Sequence, residues 1–181
     1  MLVVISDLHL ADGTTADSIS PSAFRLFAKR LNETARFASW RRDGRYRPIE
    51  SLDVLLMGDI LDPLHSTHWL DTIPSDTNYV RPWSDPSNSN YAPKLLEVTR
   101  AILEENKEAI HILRRCANGE EIHLEPADSR GNPDFQSTWQ IPLKVRLHYM
   151  VGNHDWYYHL KGDAFDKIRL EVIQKMGLSN P

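Results

Sequence analysis

In the first third of this chain, two runs of apolar residues flank a segment in which apolar residues recur at helical spacing. Leu2 to Ile5 is a continuous, largely β-branched run, which predicts a strand covered on both faces, and Leu52 to Met57 predicts a second buried strand. Between them, residues 24–35 place apolar side chains at helical spacing. Ser20-Pro21 predicts the cap and first turn of that helix, which is expected to end near residues 42–44. The order β-α-β favours a parallel pair of strands.

The middle of the chain is less regular. Residues 62–93 are rich in Pro, Ser, Asp, Asn and Trp and show poor periodicity, which predicts a long loop of the kind that often carries function. Apolar positions after Pro93 predict one helix that ends before Asn118-Gly119. Residues 121–142 predict a hairpin with strands at Glu121 to Leu124 and Phe135 to Ile141.

The last part of the chain predicts one more strand and one more helix. Residues 145–151 alternate strictly between apolar and polar side chains and run into Gly152, which predicts a third sheet strand. Residues 163–176 predict a helix that Gly177 closes at the C′ position. The elements together indicate a layered α/β fold in one domain over residues 1–181, with an insertion at about 62–142.

Composition narrows the class of protein without naming a function. The 181 residues include 41% hydrophobic and 25% charged residues, an ordinary globular balance. The formal net charge of −4 argues against a broad basic surface, so nucleic acid is expected only as a substrate. The single cysteine, Cys116, excludes an internal disulfide and is expected to be a small apolar residue near a helix end. No apolar run approaches the roughly 20 residues of a membrane span, and a cytoplasmic location is expected.

Three polar motifs follow the three predicted strands: Asp7-Leu8-His9, Gly58-Asp59-Ile60-Leu61-Asp62 and Gly152-Asn153-His154-Asp155. If the strands are parallel, all three motifs fall at the carboxyl edge of the sheet, where open α/β sheets bind ligands. Side chains two apart in an extended segment point the same way, so Asp7 and His9 are expected to converge. Carboxylates and imidazoles suit manganese, iron or zinc, and a central aspartate can bridge two ions about 3.5–4 Å apart.

In this order the motifs D-x-H, G-D-x-x-D and G-N-H-D resemble the first three signature blocks of calcineurin-like metallophosphoesterases. The resemblance implies that Asp7 and His9 bind a first metal ion. It implies that Asp59 bridges two ions and that Asn153 binds the second. It also implies a β-sandwich flanked by helices. Two divalent cations are expected, manganese first, with iron, zinc or magnesium as alternatives.

The same resemblance assigns the chemistry to the third motif. It implies that His154 stabilises the phosphoryl group or protonates the leaving oxygen, and that Asp155 orients His154 through a hydrogen bond. The function expected is that of a metal-dependent phosphoesterase, which hydrolyses a phosphomonoester or phosphodiester with a water activated by two metal ions. The sequence leaves the class of phosphate ester and the oligomeric state open.

The chain also departs from the family pattern. No G-H-x-H block occurs, although the family takes further ligands from it, and the segment between Gly58 and Gly152 is longer than usual. The chain is therefore expected to be the N-terminal portion of a longer protein. The alternative is a catalytically incomplete interaction module with the same fold. Pro63-Leu64 replaces the Arg-Gly of protein serine/threonine phosphatases, which puts that branch in doubt.

Several other side chains have two readings. Asp62 is expected to stabilise the turn before Pro63 rather than to hold a ligand in place. His65 and His68 are expected to be solvated loop residues rather than substrate contacts. His159 could replace a missing metal ligand, but this role is not favoured. Five aromatic residues could either form a wall near the site or serve ordinary packing: Trp69, Trp83, Trp156, Tyr157 and Tyr158.

Overall fold

The computed structural model describes residues 1–15 and 17–179. Five strands form two sheets in these residues: β1 Leu2–Ile5, β2 Ser51–Met57, β3 His123–Leu124, β4 Ile141–Pro142 and β5 Lys144–Met150. The main sheet is parallel, with β2 between β1 and β5, whereas β3 and β4 pair as a separate antiparallel ladder. The predicted parallel arrangement is confirmed, and the carboxyl ends of the three parallel strands meet at one edge.

Four helices complete the mixed α/β fold: α1 Pro21–Ala38, α2 Tyr91–Glu105, α3 Lys107–Ala117 and α4 Asp163–Met176. The start of α1 is as predicted, because the Ser20 side chain accepts a hydrogen bond from the Ser22 backbone N–H and a proline opens the first turn. The helix ends at Ala38, earlier than expected. The end of α4 is also as predicted, with Gly177 in the left-handed conformation.

The expected single helix after Pro93 is two helices that meet at Asn106. The buried Asn106 side chain donates hydrogen bonds from Nδ2 to the carbonyl oxygens of Ile102, at 2.8 Å, and Ala11, at 2.7 Å. Asparagine competes with the backbone for hydrogen bonds in this way and is poor in helix interiors. The break therefore ties the helical layer to the loop that follows β1.

The predicted hairpin exists, but its strands are shorter than expected. β3 and β4 have two residues each, and an isolated bridge joins Ala127 to Pro133 farther out. Pro126 and Pro133 lack a backbone N–H, so this stretch cannot form a continuous ladder. The carboxylate of Glu125 instead accepts two hydrogen bonds from the Arg36 guanidinium, which fastens the hairpin to α1.

One face of the main sheet is buried beneath helices. Alternate side chains of β2 and β5 are buried on that face: Leu52, Val54, Leu56, Val145 and Leu147. Helix α3 contacts β5 and packs against α1, so these two helices form the layer that covers the core. Cys116 lies in this layer near the end of α3, and burial raises the pKa of its thiol to about 12, in agreement with a small apolar role.

The opposite face of the sheet is open, which corrects the expectation that β1 is covered on both sides. Leu2 and Val4 are 62% and 46% exposed, and Met57 and Met150 are exposed on the same face. The described residues do not form a second sheet over this face, so the finer expectation of a β-sandwich stays a prediction. No helix within residues 1–15 and 17–179 is long and apolar enough to cross a membrane.

An ion cluster lies on the open face between the exposed apolar side chains. The carboxylate of Asp53 accepts hydrogen bonds from the Arg146 guanidinium at 2.6 Å and from His148 Nε2 at 2.9 Å. Arg146 first, and then His148, lower the pKa of Asp53 from its ordinary value of 3.8 to about 2. The ionised carboxylate therefore stabilises the folded state.

We expect Asp53→Asn to lower the free energy of unfolding by about 1 kcal/mol at neutral pH, because the ion cluster is partly exposed. The native pKa is depressed, so the stabilisation is complete above the unfolded pKa near 3.8 and is lost as the pH falls towards 2. Urea unfolding of both proteins from pH 7 to pH 2.5 measures this. The Asp53→Asn difference should shrink below pH 4, whereas Glu50→Gln, an exposed control, should change stability little throughout. A constant Asp53→Asn difference would contradict the assignment.

Candidate metal centre

Backbone pairing between β1 and β2 continues past the ends of both strands. The N–H of Asp7 donates to the carbonyl oxygen of Gly58 at 3.2 Å, and the N–H of His9 donates to that of Asp59 at 2.9 Å. Leu10 continues the series by donating to Ile60 at 2.8 Å. The first motif is therefore held in register beside the second.

The third motif approaches the second through two glycines. The N–H of Gly58 donates to the carbonyl oxygen of Met150 at 2.7 Å, at the end of β5. A Cβ atom added to Gly152 would lie 2.7 Å from the Asp59 nitrogen and 2.9 Å from the Gly58 Cα, closer than real Cβ contacts. Only glycine fits at this position, so the two motifs meet at van der Waals distance.

Backbone strain is concentrated at three candidate ligands. Asp7, His9 and Asp59 have φ angles of 57°, 45° and 53°, and they are the non-glycine residues with positive φ in the described part of the chain. The left-handed region disfavours side chains with a Cβ, and such outliers cluster at functional sites. The expected reason for the convergence of Asp7 and His9 is wrong, since neither residue is extended. Left-handed turns bring them together instead.

The structure brings the proposed ligands of the first metal ion together. Asp7, His9 and Asp59 each offer a ligand atom, and these three atoms lie within 4.8 Å of one another. Asp59 Oδ1 also accepts a hydrogen bond at 2.8 Å from the backbone N–H of His154, which joins the second and third motifs. Asn153, beside His154 in the chain, has an exposed side chain. Oxygen and nitrogen donors of the first two motifs thus lie together, with the backbone of the third motif beside them.

Asp62 lies at the centre of a cluster of imidazoles. Its carboxylate accepts from His9 Nδ1 at 2.9 Å, from His65 Nδ1 at 2.8 Å, and from His154 Nδ1 at 3.2 Å. The His65 backbone N–H adds a bond to Asp62 Oδ1, so the expected turn-stabilising role is also present. Burial alone would raise the pKa of Asp62, but hydrogen bonds from the three histidines outweigh burial and lower it. Asp62 is therefore ionised and orients His9 and His154.

The expectation that Asp155 orients His154 is wrong. The fully buried Asp155 carboxylate accepts hydrogen bonds from the backbone N–H groups of Gly152 and Ile60 and from the Tyr149 hydroxyl. Burial raises the pKa of Tyr149 well above its ordinary value, which keeps this phenol protonated and able to donate. The Asp155 side chain points into the protein, where it accepts these hydrogen bonds. Asp155 therefore joins the loop of the third motif to the loop of the second motif.

The remaining candidates divide between the site and its surroundings. His65 is exposed, as expected of a solvated histidine, and its Nδ1 also lies 2.8 Å from the Asp62 carboxylate, which places it beside the site. His68 lies in a separate surface group with Asp71 and Glu97, and the Lys94 ammonium pairs with both carboxylates. His159 lines a different cavity, beside Tyr158 and Arg169.

The aromatic residues mostly serve packing. The Trp156 ring stacks on Tyr157 at 4.6 Å, and Tyr157 stacks on Trp69 at 6.1 Å. Tyr157, Tyr158 and Trp69 are buried, whereas Trp83 is exposed. The Trp69 indole N–H donates to the carbonyl oxygen of Pro63, next to Asp62, so this stack supports the loop that carries the imidazole cluster.

Comparison with protein families, curated proteins and solved structures gave no match to this chain. The sequence motifs and the geometry of the site are therefore the observations on which a functional proposal rests.

We expect Asp7→Gly to be more stable than Asp7→Ala by about 1 kcal/mol in metal-free protein, because only glycine relieves the left-handed strain. Both variants lose the same carboxylate, so the difference isolates the backbone. At Asp71, which has an ordinary φ of −64°, the order should reverse, since glycine there only adds freedom to the unfolded chain. Urea unfolding of the four variants measures this, and alanine above glycine at residue 7 would contradict the strain.

Proposed function

We propose that this chain is a metal-dependent phosphoesterase of the calcineurin-like type, acting on a phosphomonoester or phosphodiester. The observation that supports this most strongly is the meeting of Asp7, His9 and Asp59 within 4.8 Å, at the carboxyl edge of a parallel sheet. His154 stands beside them, joined through its backbone to Asp59. The cytoplasmic location stays a prediction.

The donor set fits divalent cations. Two carboxylates and one imidazole suit manganese, iron or zinc, and Asp7, His9, Asp59 and Asn153 are the residues that would hold the ions. The Asp62 carboxylate accepts from His9 Nδ1, which fixes the tautomer and leaves Nε2 as the ligand atom. When bound, two ions would acidify a water molecule and neutralise the charge that develops on the phosphoryl group.

The side chains around the donors supply positioning and proton transfer. His154 donates from Nδ1 to Asp62, so His154 Nε2 faces the reacting group, where it can hold a proton for the leaving oxygen. The buried Asp155 carboxylate and the Tyr149 hydroxyl stabilise the turn through the hydrogen bond between them.

A second candidate function is an interaction module with the same fold. The open sheet face supports it, because Leu2, Val4, Met57 and Met150 expose apolar surface where parallel sheets are normally covered. This face and the donor cluster are different parts of the sheet. Metal binding at the donor cluster therefore discriminates between the two functions.

We expect two manganese ions per chain after loading and desalting, because donors of the first two motifs meet at Asp59 and the third motif lies beside them. Asp59→Asn should lower the content to one ion or fewer, since it weakens the ligand shared by both. Elemental mass spectrometry measures the content. Asp71→Asn, in the surface group with His68, is the matched control and should keep both ions. No bound metal in the unaltered chain would favour the interaction module.

We expect His154→Asn to lower kcat about 10²- to 10⁴-fold on p-nitrophenyl phosphate or its bis ester, the usual contribution of a positioned acid or base. The metal content should not change, because His154 is outside the ligand set. Steady-state kinetics and elemental analysis on the same samples test this. An unchanged kcat with both ions bound would remove His154 from the mechanism.

A further inference from the structure

A cavity of about 270 Å³ opens beside the donor cluster. Its lining residues come from the first two motif loops: His9, Ala11, Thr15, Asp62 and His65. The His65 side chain is 55% exposed, although its Nδ1 is bound to the buried Asp62. Asp62 therefore both lines the cavity and holds His154, and the cavity is open to a ligand.

The side chains of this cavity offer acceptors to a ligand. Nδ1 of His65 must donate, because its partner is a carboxylate, and the neutral ring then carries a lone pair at Nε2. The Thr15 hydroxyl donates its hydrogen to the carbonyl oxygen of His65, so the Thr15 oxygen can only accept a hydrogen bond from a ligand in the cavity. Acceptors of this kind repel phosphate oxygens and suit hydroxyl groups.

The position of the cavity indicates which part of a substrate would enter it. The rings of His65 and His154 lie 5.2 Å apart between centroids, and both donate to Asp62. A phosphoryl group at the metal donors, with its leaving oxygen towards His154, would direct its alcohol towards His65. The volume is slightly below the roughly 300–1,000 Å³ of drug-sized pockets, so it suits a small alcohol.

We propose that this cavity is the leaving-group subsite and that His65 accepts a hydrogen bond there from a hydroxyl of the substrate. The substrate class is then the phosphate ester of a small polyol, such as a glycerol-like or sugar-like alcohol. This inference rests on the proposed phosphoesterase function, and it adds His65 as a residue that contacts substrate and sets specificity.

The test compares two ligands with the same three-carbon skeleton, glycerol 1-phosphate and n-propyl phosphate. Binding is measured by calorimetry on manganese-loaded protein carrying His154→Asn, which slows turnover. We expect glycerol 1-phosphate to bind about tenfold more tightly, the effect of one well-placed hydrogen bond. The propyl ester has the phosphate but no hydroxyl, so the ratio isolates the contact in the cavity.

Two substitutions then separate contact from positioning. His65→Asn keeps an amide N–H for Asp62 and loses the acceptor at the Nε2 position, so the tenfold preference should disappear while propyl phosphate binds as before. His65→Gln places an amide oxygen near that position and should restore part of the preference.

The outcomes distinguish this inference from the proposed function. Equal affinities for the two esters, or a preference that survives His65→Asn, would overturn the subsite while leaving the phosphoesterase intact. Weaker binding of both esters in His65→Asn would mean that His65 only holds Asp62, which also overturns the contact. Failure of the metal-loaded chain to bind either ester or inorganic phosphate would overturn both proposals.

Discussion

The pairing of two loops beyond the edge of the sheet is the constraint on which the candidate site depends. Residues 7–10 run beside residues 58–61 with regular backbone hydrogen bonds, although neither segment is a strand there. Regular pairing would direct alternate side chains to opposite faces. The left-handed residues Asp7, His9 and Asp59 break that alternation, so donors that an extended chain would separate converge. The absence of a side chain at Gly152 then admits the third motif.

Two buried carboxylates, Asp155 and Asp62, stabilise different parts of this arrangement. Asp155 accepts from backbone N–H groups and from Tyr149, and it has no imidazole partner among the described residues. Asp62 accepts from three imidazoles and one backbone N–H. Burying a carboxylate is unfavourable unless its lone pairs are satisfied, and both are. The first therefore stabilises the fold of the loops, and the second holds the imidazoles of His9, His65 and His154 in place.

Local patterns predicted most of the fold and part of the site. Periodicity located the strands and helices, and a proline or a glycine marked the ends of α1 and α4. The position of the motifs after the parallel strands also predicted that Asp7, His9 and Asp59 would lie close together. It could not show that Asp62 rather than Asp155 holds His154, since Asp155 is adjacent in sequence whereas Asp62 is 92 residues away and meets His154 only in the folded chain. The hydrogen bond of His65 to Asp62 was not predicted, because the spacing of three residues does not show that the Asp62 carboxylate is turned towards this histidine. The break at Asn106 depends on the carbonyl of Ala11, equally remote in sequence.

The free-energy cost of backbone strain and like charges at the site favours the proposal of a bound cation over that of an interaction module without one. Three left-handed residues with side chains cost about 1 kcal/mol each, against a total stability of about 5–15 kcal/mol for an ordinary domain. Asp7 and Asp59 add repulsion between carboxylates whose ligand atoms lie within 4.8 Å of His9 and of each other. Glycine at any of the three positions would remove the backbone strain, and an uncharged residue at Asp7 would remove the repulsion. A fold that served only to present its open sheet face would gain nothing from this strain and charge, whereas a cation at the donors would offset both.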